Sequence, residues 1–146
     1  MELDLASPLG RGTDGSVWTS NNDSAVKALE RQKNYRTELE CYQRFKNRRI
    51  KSILGFSVPE LIGWNDDLWI IEMRIVTPPF ILDFAKSYLD QPADYSAVTM
   101  AEWDEEGQER FEGRWPRVRS LLSALESFGI YYYDAKPANI MFKDLQ

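Results

Sequence analysis

The sequence predicts an α+β fold, in which a small antiparallel sheet with one helix leads into a mainly helical segment. Short apolar runs separated by Asn- and Asp-rich turns dominate residues 1–76, whereas residues 77–146 show longer, helix-like periodicity. The chain has 146 residues, 43% of them hydrophobic and 28% charged, which is enough to bury a core. We therefore expect two parts, 1–76 and 77–146, within one structural unit.

The first part predicts a hairpin and then an amphipathic helix. Residues 16–29 contain two apolar-rich runs around "NND", whose side chains suit a tight turn. Residues 32–48 follow the helical period, and one face of that helix carries Tyr35, Glu38, Leu39, Tyr42 and Phe45. An unpaired buried carboxylate costs several kcal/mol. Either a cation meets Glu38, or its side chain reaches water at the edge of the apolar face.

Two further strands and two helices are expected after this helix. The runs "GFSVPELIGW" and "LWIIEMRIV" are strand-like and are separated by "NDD". A helical pattern begins at Phe80 in "FILDFAKSYL". Residues 90–113 are polar and acidic and include "TMAE" at 99–102, a capping-box pattern. Residues 115–128 form the clearest helix, which Gly129 is placed to end.

Charge and composition exclude several classes of function. Eighteen basic and 23 acidic residues give a formal charge of −5, so the chain repels nucleic-acid phosphates and anionic membrane surfaces. No window approaches the roughly 20 apolar residues of a membrane span. A single cysteine, Cys41, fits a reducing compartment, and we expect a cytoplasmic protein. Because the chain has no histidine, a general base must be a carboxylate or a less usual group.

A glycine-rich segment lies near the start of the chain. Gly10, Gly12 and Gly15 form G-x-G-x-x-G, and Val17 extends the pattern. Glycine lets the backbone approach phosphate oxygens because no Cβ intervenes, but three glycines also suit an ordinary turn. A strand and an Asn-rich turn follow, whereas a dinucleotide-binding fold would continue with a helix. The segment therefore has the place of a hairpin tip.

Lys27 lies in "SAVKAL", on the second strand of the predicted hairpin. Its alternation with apolar residues is compatible with a solvated strand face. The buried position of Glu38 on the next helix favours a second interpretation, in which Lys27 is the cation that meets this carboxylate. Glu40 is less suitable because it lies on the opposite face of the helix.

Taken in order along the chain, these features resemble the protein-kinase fold. The glycine pattern resembles the glycine-rich loop, Lys27 in "AVK" the strand lysine, and Glu38 the helix glutamate that pairs with it. "WIIEMRIV" resembles the strand leading into the hinge, with Ile71 as gatekeeper and Glu72 to Arg74 as the backbone that meets adenine. "YYDAKPANIMF" resembles the catalytic loop, in which the functional side chains would be Asp134, Lys136 and Asn139.

The resemblance implies that residues 1–76 are an N-lobe with its hinge strand and that 77–146 are a partial C-lobe. It implies ATP and Mg²⁺ as ligands and phosphoryl transfer as the reaction. Lys27 would neutralise phosphates, Asp134 would accept the proton of an attacking hydroxyl, and Asn139 would give an oxygen to Mg²⁺. "KPAN" is closer to protein Ser/Thr kinases than to small-molecule kinases, which favours a protein substrate.

Two features depart from the family pattern. Tyr132 and Tyr133 stand where the family usually has His and Arg, so control through a phosphorylated activation loop is not expected. The family also places a hairpin and D-F-G after the catalytic Asn, and the Asp holds Mg²⁺. The sequence given contains no D-F-G after Asn139. Asp144 is the carboxylate that follows, and it fits a turn better than a metal site.

Three functions follow from this combination. The chain is an ATP-dependent phosphotransferase, a pseudokinase-type module that binds nucleotide or a partner, or an interaction protein without ligand. Retention of Lys27, Asp134 and Asn139 argues against the third. A further expectation concerns an apolar patch that would serve a protein partner or self-association, unless residues 90–113 cover it: Trp115, Leu122, Tyr131 and Tyr132.

Overall fold

The computed structural model describes the backbone of residues 5–11 and the complete residues 15–20 and 22–143. The predicted α+β class is confirmed. The elements in chain order are β1 Leu5–Arg11, β2 Gly15–Ser20, β3 Ser24–Leu29, α1 Gln32–Asn47, β4 Ser52–Ile53, β5 Phe56–Ser57, β6 Leu61–Asn65, β7 Ile70–Arg74, β8 Phe80–Ile81, β9 Tyr88–Leu89, α2 Ala97–Phe111, a 3₁₀ turn Glu112–Arg114, α3 Trp115–Glu126, β10 Ile130–Tyr131 and β11 Ile140–Met141.

The largest sheet has five antiparallel strands in the order β1-β2-β3-β7-β6. The predicted hairpin is present as β2 and β3, with Val17 opposite Lys27. Helix α1 matches the predicted 32–48 within one residue, and the side chains of its apolar face are all buried. Because α1 buries that face beside the sheet, it brings Glu38 close to β3.

The stretch from Phe80 is not the predicted helix. Phe80 and Ile81 form β8, which pairs antiparallel with β11 and parallel with β5. Asp83 then adopts a left-handed backbone conformation with φ 62°, which a right-handed helix does not accommodate. Hydrogen bonds to two other strands thus override the apolar spacing of this segment.

Helices α2 and α3 build the second half of the chain. Helix α2 begins earlier than "TMAE" indicated, because Ser96 is the N-cap and its Oγ accepts the Thr99 N–H at 3.1 Å. Helix α3 ends near the predicted place, and Gly129 follows with φ 72°. No helix among the described residues is both long and apolar enough to cross a membrane.

Three of the four side chains of the predicted apolar patch are buried and Tyr131 is half-buried, so the patch is not exposed as expected. Trp115, Leu122 and Tyr132 are buried. The Trp115 ring stacks on Phe111 of α2, and its Nε1 donates to Asp104 Oδ1 at 3.0 Å. Residues 90–113 thus cover Trp115, as the alternative interpretation expected, whereas Tyr132 packs against Phe84, which precedes that stretch.

Candidate functional site

The structure joins Lys27 of β3 to Glu38 of α1 in a buried ion pair. Lys27 Nζ lies 2.7 Å from Glu38 Oε1 and donates to Oε2 at 3.1 Å. The side chains are 6% and 0% exposed. The shorter contact lacks hydrogen-bond geometry, so Oε1 is close to the charge without accepting a hydrogen bond. The cation predicted to meet Glu38 is therefore Lys27, whereas Glu40 pairs with Arg44 at 3.3 Å.

Asp83 is a second carboxylate on the same ammonium. Its Oδ1 lies 2.7 Å from Lys27 Nζ and accepts a hydrogen bond from it. Its side chain is 35% exposed, in contrast to Glu38. The N–H of the next residue, Phe84, donates to Glu38 Oε2 at 2.9 Å. One cation therefore serves two anions, one fully buried and one facing solvent in part.

Burial and charge oppose each other at this cluster. Burial disfavours the charged form of Lys27, but the carboxylates of Glu38 and Asp83 outweigh it and raise the pKa of the ammonium above its ordinary value. Burial raises the pKa of Glu38, while the Lys27 charge and the Phe84 N–H act to lower it. Lys27 is therefore protonated at neutral pH, and its charge stabilises the carboxylate of Glu38.

A second cluster forms at the predicted catalytic loop. Asn139 is buried, and its Nδ2 donates to the backbone oxygen of Asp134 at 2.9 Å and to Asp134 Oδ2 at 3.1 Å. Lys136 Nζ lies 3.3 Å from Asp134 Oδ1 and is 47% exposed. The structure therefore brings together the three residues of D-x-K-x-x-N and fixes the orientation of the Asp134 carboxylate from both sides.

Leu82 and Tyr132 connect the two clusters. The Leu82 N–H donates to the Asn139 carbonyl at 2.8 Å, and the Tyr132 hydroxyl donates to the Leu82 carbonyl at 2.6 Å. Burial raises the pKa of Tyr132 well above its ordinary value, and the negative charges of Asp83, Asp134 and Glu38 raise it further. The hydrogen bonds of Leu82 thus place the residue before Asp83 beside both Tyr132 and Asn139.

The glycine segment is described only in part. Gly10 lies in β1 opposite Val17 of β2, and Gly12 lies outside the described residues, as does Asp144. Gly15 is required by packing, because a Cβ there would lie 1.9 Å from the Ala28 backbone oxygen. Val17 faces Lys27 across β2 and β3. Strand β2, which follows the glycine segment, therefore lies directly beside the lysine strand β3.

The predicted hinge strand is β7. Ile71 is buried and lies opposite Lys27 in the β3–β7 register. The Glu72 side chain is buried and accepts a hydrogen bond from Ser24. The Arg74 N–H donates to the Glu60 carbonyl at 2.9 Å, so this amide is not free to meet an adenine in this conformation. Glu72 and Met73 lie in the same strand, which pairs with β3 on one side and with β6 on the other, so their backbone groups also lie within the sheet.

Tyr133, which stands where the protein-kinase pattern usually has Arg, is held by aromatic contacts and hydrogen bonds. Its ring packs edge-on against Tyr88 and Tyr95, with centroids 5.8 and 5.2 Å away. Its carbonyl accepts Trp103 Nε1 at 2.8 Å, and its hydroxyl accepts the Ala93 N–H at 3.1 Å. An aromatic cluster thus holds the residue before Asp134 in place.

A cavity of about 700 Å³ lies beside the predicted catalytic loop and is lined in part by Arg110, Arg114, Pro137 and Phe142. Its lining contains no side chain of the Lys27 cluster. Arg114 stacks over the Phe142 ring, 4.8 Å from its centroid. We therefore do not assign the nucleotide to this cavity.

No protein-family model matches the chain, and the search of curated proteins finds no match. The site is consequently assigned from its own geometry. Sequence reasoning found Lys27, Glu38, Asp134, Lys136 and Asn139 but missed Asp83. The sequence feature that could have indicated Asp83 is "LDFA" at 82–85, in which an aspartate followed by an aromatic residue comes shortly after β8.

Proposed function

We propose that this chain is an ATP-binding protein of the protein-kinase-like class that transfers the γ-phosphoryl group to a hydroxyl, with a protein serine or threonine as acceptor. The observation that carries the proposal is the buried Lys27–Glu38 pair at 2.7 Å, connected through Leu82 to the Asp134–Asn139 cluster. This combination supplies a fixed cation for phosphates and a fixed carboxylate for a hydroxyl in one site.

Each side chain has a part in the proposed reaction. Lys27 holds the phosphate chain, and Glu38 fixes the position of Lys27. Asp134 accepts the hydroxyl proton while the bond between the γ-phosphorus and its bridging oxygen breaks and the acceptor oxygen bonds to phosphorus. Mg²⁺, when bound with ATP, neutralises phosphate charge. Lys136 lies beside Asp134 with about half of its side chain in solvent, and we assign it to the γ-phosphate.

The adenine is assigned to the backbone at the end of β7. Ile71 lies beside Lys27 in the sheet, so a nucleotide with its phosphates at Lys27 extends along this strand. The backbone of Glu72 takes part in strand pairing with β3 and β6, so it meets an adenine only if that pairing opens. The Arg74 N–H does not contribute unless its bond to the Glu60 carbonyl opens.

Transfer of labelled γ-phosphate from ATP to serine- and threonine-containing peptides tests the proposal. We expect Mg²⁺-dependent transfer by the wild type and a loss of about 10²- to 10⁴-fold in Asp134→Asn. The control is Asp67→Asn, a substitution in the β6–β7 turn outside the site. Transfer that survives Asp134→Asn contradicts the assignment of the base. ATP binding without transfer favours the pseudokinase-type module instead.

A further inference from the structure

We infer that Asp83 is the metal-holding carboxylate of this site, supplied by a segment that precedes the catalytic loop in the chain. The inference rests on the proposed function and extends it to a residue that the kinase-like sequence pattern does not assign. That pattern places the metal aspartate after Asn139, whereas Asp83 lies 56 residues after Lys27 and before the catalytic loop.

The strand arrangement places Asp83 beside the catalytic loop. In the expected order, the strand after the catalytic Asn pairs with a second strand that leads into the metal aspartate. Here β11 contains Ile140 and pairs antiparallel with β8, and the chain leaves β8 through Leu82 directly into Asp83. The Leu82 N–H to Asn139 carbonyl bond of 2.8 Å holds this exit against the catalytic loop. A strand that pairs with β11 and leads into an aspartate is therefore present, but this strand, β8, precedes β11 in the chain instead of following it.

The residues around Asp83 hold it in one conformation. Asp83 has φ 62°, a conformation that costs an L residue energy and that aspartate tolerates better than most. Phe84 is fully buried, with its ring 5.6 Å from Tyr42, 5.4 Å from Phe45 and 5.5 Å from Tyr132 between centroids. The Asp83 carboxylate is thus placed before any ligand arrives, as a metal site requires.

The charge at this point favours a further cation. Two carboxyl groups, those of Glu38 and Asp83, share the single ammonium of Lys27, each with an oxygen 2.7 Å from its Nζ. Glu38 has no exposed surface, so the partly exposed Asp83 is the carboxylate that a metal can reach. Binding of Mg²⁺ to Asp83 would also leave the Lys27 ammonium free to meet phosphate oxygens.

The ligand count indicates that metal and nucleotide bind together. Within the described residues, no group of three His, Cys, Asp or Glu side chains could hold a metal ion. Asp83 offers one carboxylate, and Asn139, whose Nδ2 is turned toward Asp134, offers its amide oxygen. Mg²⁺ commonly takes one or two protein oxygens and completes its shell with phosphates and water. We therefore expect weak metal binding alone and strong binding with ATP.

The simpler interpretation is that Asp83 only balances the charge of Lys27. Calorimetric titration of ATP into Asp83→Asn, with Mg²⁺ and separately with EDTA, distinguishes the two roles. A metal ligand predicts that Asp83→Asn weakens Mg²⁺·ATP binding by about tenfold or more. It also predicts that ATP binding in EDTA is unchanged or tighter, because a negative charge near the phosphates is lost. A counterion role predicts the same change in both buffers, and a change of equal size and direction with Mg²⁺ and with EDTA would overturn the inference.

Controls separate the possible failures of this experiment. Asp67→Asn should bind like the wild type in both buffers. If the wild type binds ATP neither with Mg²⁺ nor with EDTA, the proposed function itself is contradicted. If Asp83→Asn does not fold, carbon NMR of the wild type with ATP and traces of Mn²⁺ decides: the Asp83 carboxyl signal should broaden before that of Asp67. Equal broadening of the two signals overturns the inference.

Discussion

Lys27 and Glu38 are eleven residues apart in the chain and 2.7 Å apart in space, and Glu38 has no exposed surface. The pair joins β3 to α1 and places a fixed ammonium on the central strand of the five-stranded sheet. Because α1 also buries Tyr42 and Phe45 against Phe84, the same helix supports the segment that contains Asp83. The position of α1 is therefore coupled to the geometry of the site.

Lys27→Met should destabilise the fold by about 3 kcal/mol, because it leaves a buried carboxylate without its cation. Loss of the ammonium also raises the pKa of Glu38 further. A carboxyl with a raised folded-state pKa favours folding at low pH, and this contribution is lost as pH rises. Urea unfolding at pH 5 and pH 8 should therefore show a smaller loss for Lys27→Met at pH 5.

The double variant Lys27→Met/Glu38→Leu is the matched control for this experiment. Apolar replacement of a whole buried pair is often close to neutral, so the double variant should recover much of the stability lost in Lys27→Met. A double variant no more stable than the single one would show that the pair is not what the lysine substitution disrupts.

Cys41 reports whether α1 stays docked. The thiol is buried, and burial together with the charge of Glu38 raises its pKa above the ordinary value. It should react with a thiol reagent far more slowly in the native protein at pH 8 than in denaturant. Lys27→Met should accelerate this reaction if the ion pair holds α1 to the sheet. Rapid native labelling of the wild type would contradict the burial of this helix face.

Gly107→Ala tests the packing of α2 on Trp115. A Cβ at position 107 would lie 2.3 Å from atoms of the Trp115 ring. The clash should cost about 1–3 kcal/mol, which is at least as large as the gain of about 1 kcal/mol in helix propensity. Urea unfolding should thus show a neutral to destabilised variant. Gly113→Ala is the control, because nothing lies within 4 Å of its added Cβ.

Arg44→Gln tests the link between α1 and the segment after α3. Arg44 Nη1 and Nη2 each donate to Asp90 at 3.0 Å, and Nη1 also donates to the Phe128 carbonyl at 2.8 Å. The hydrogen bonds from Arg44 hold the pKa of Asp90 below its ordinary value of 3.8. The stabilisation they give is present above that value and is lost as pH falls through the lowered pKa.

Thermal unfolding of the wild type and Arg44→Gln from pH 7 to pH 2 measures this effect. The difference in melting temperature should narrow in acid but keep the part due to the Phe128 carbonyl. A difference that is constant or grows as pH falls would contradict the role of Asp90.

The local pattern of apolar residues predicted the helices and strands that depend on contacts between residues close in the sequence. The β2–β3 hairpin, α1 and α3 were predictable because their apolar periods agree with what they bury. The contact of Lys27 with Glu38 was predictable because a buried carboxylate needs a cation, and the lysine lies on the preceding strand.

The segment around Asp83 was not predictable in this way. "FILDFAKSYL" has the spacing of a helix, but pairing of β8 with β11 joins residues almost sixty positions apart, and this decides its conformation. The start of α2 was missed for a smaller reason, since Ser96 and Thr99 offer competing caps. The hydrogen bond from Lys27 to Asp83 likewise joins residues 56 positions apart, which no local pattern contains.

The shift in melting temperature on ATP binding most directly tests whether Lys27 belongs to a nucleotide site. With Mg²⁺ and ATP at about 100 times the dissociation constant, binding adds about 2.7 kcal/mol, or about 5–10 °C for a chain of this size. The wild type and Lys51→Met, an exposed lysine outside the site, should both show this shift, and Lys27→Met should show none. No shift in the wild type, or an equal shift in Lys27→Met, would contradict the central claim that Lys27 and Glu38 form a nucleotide site.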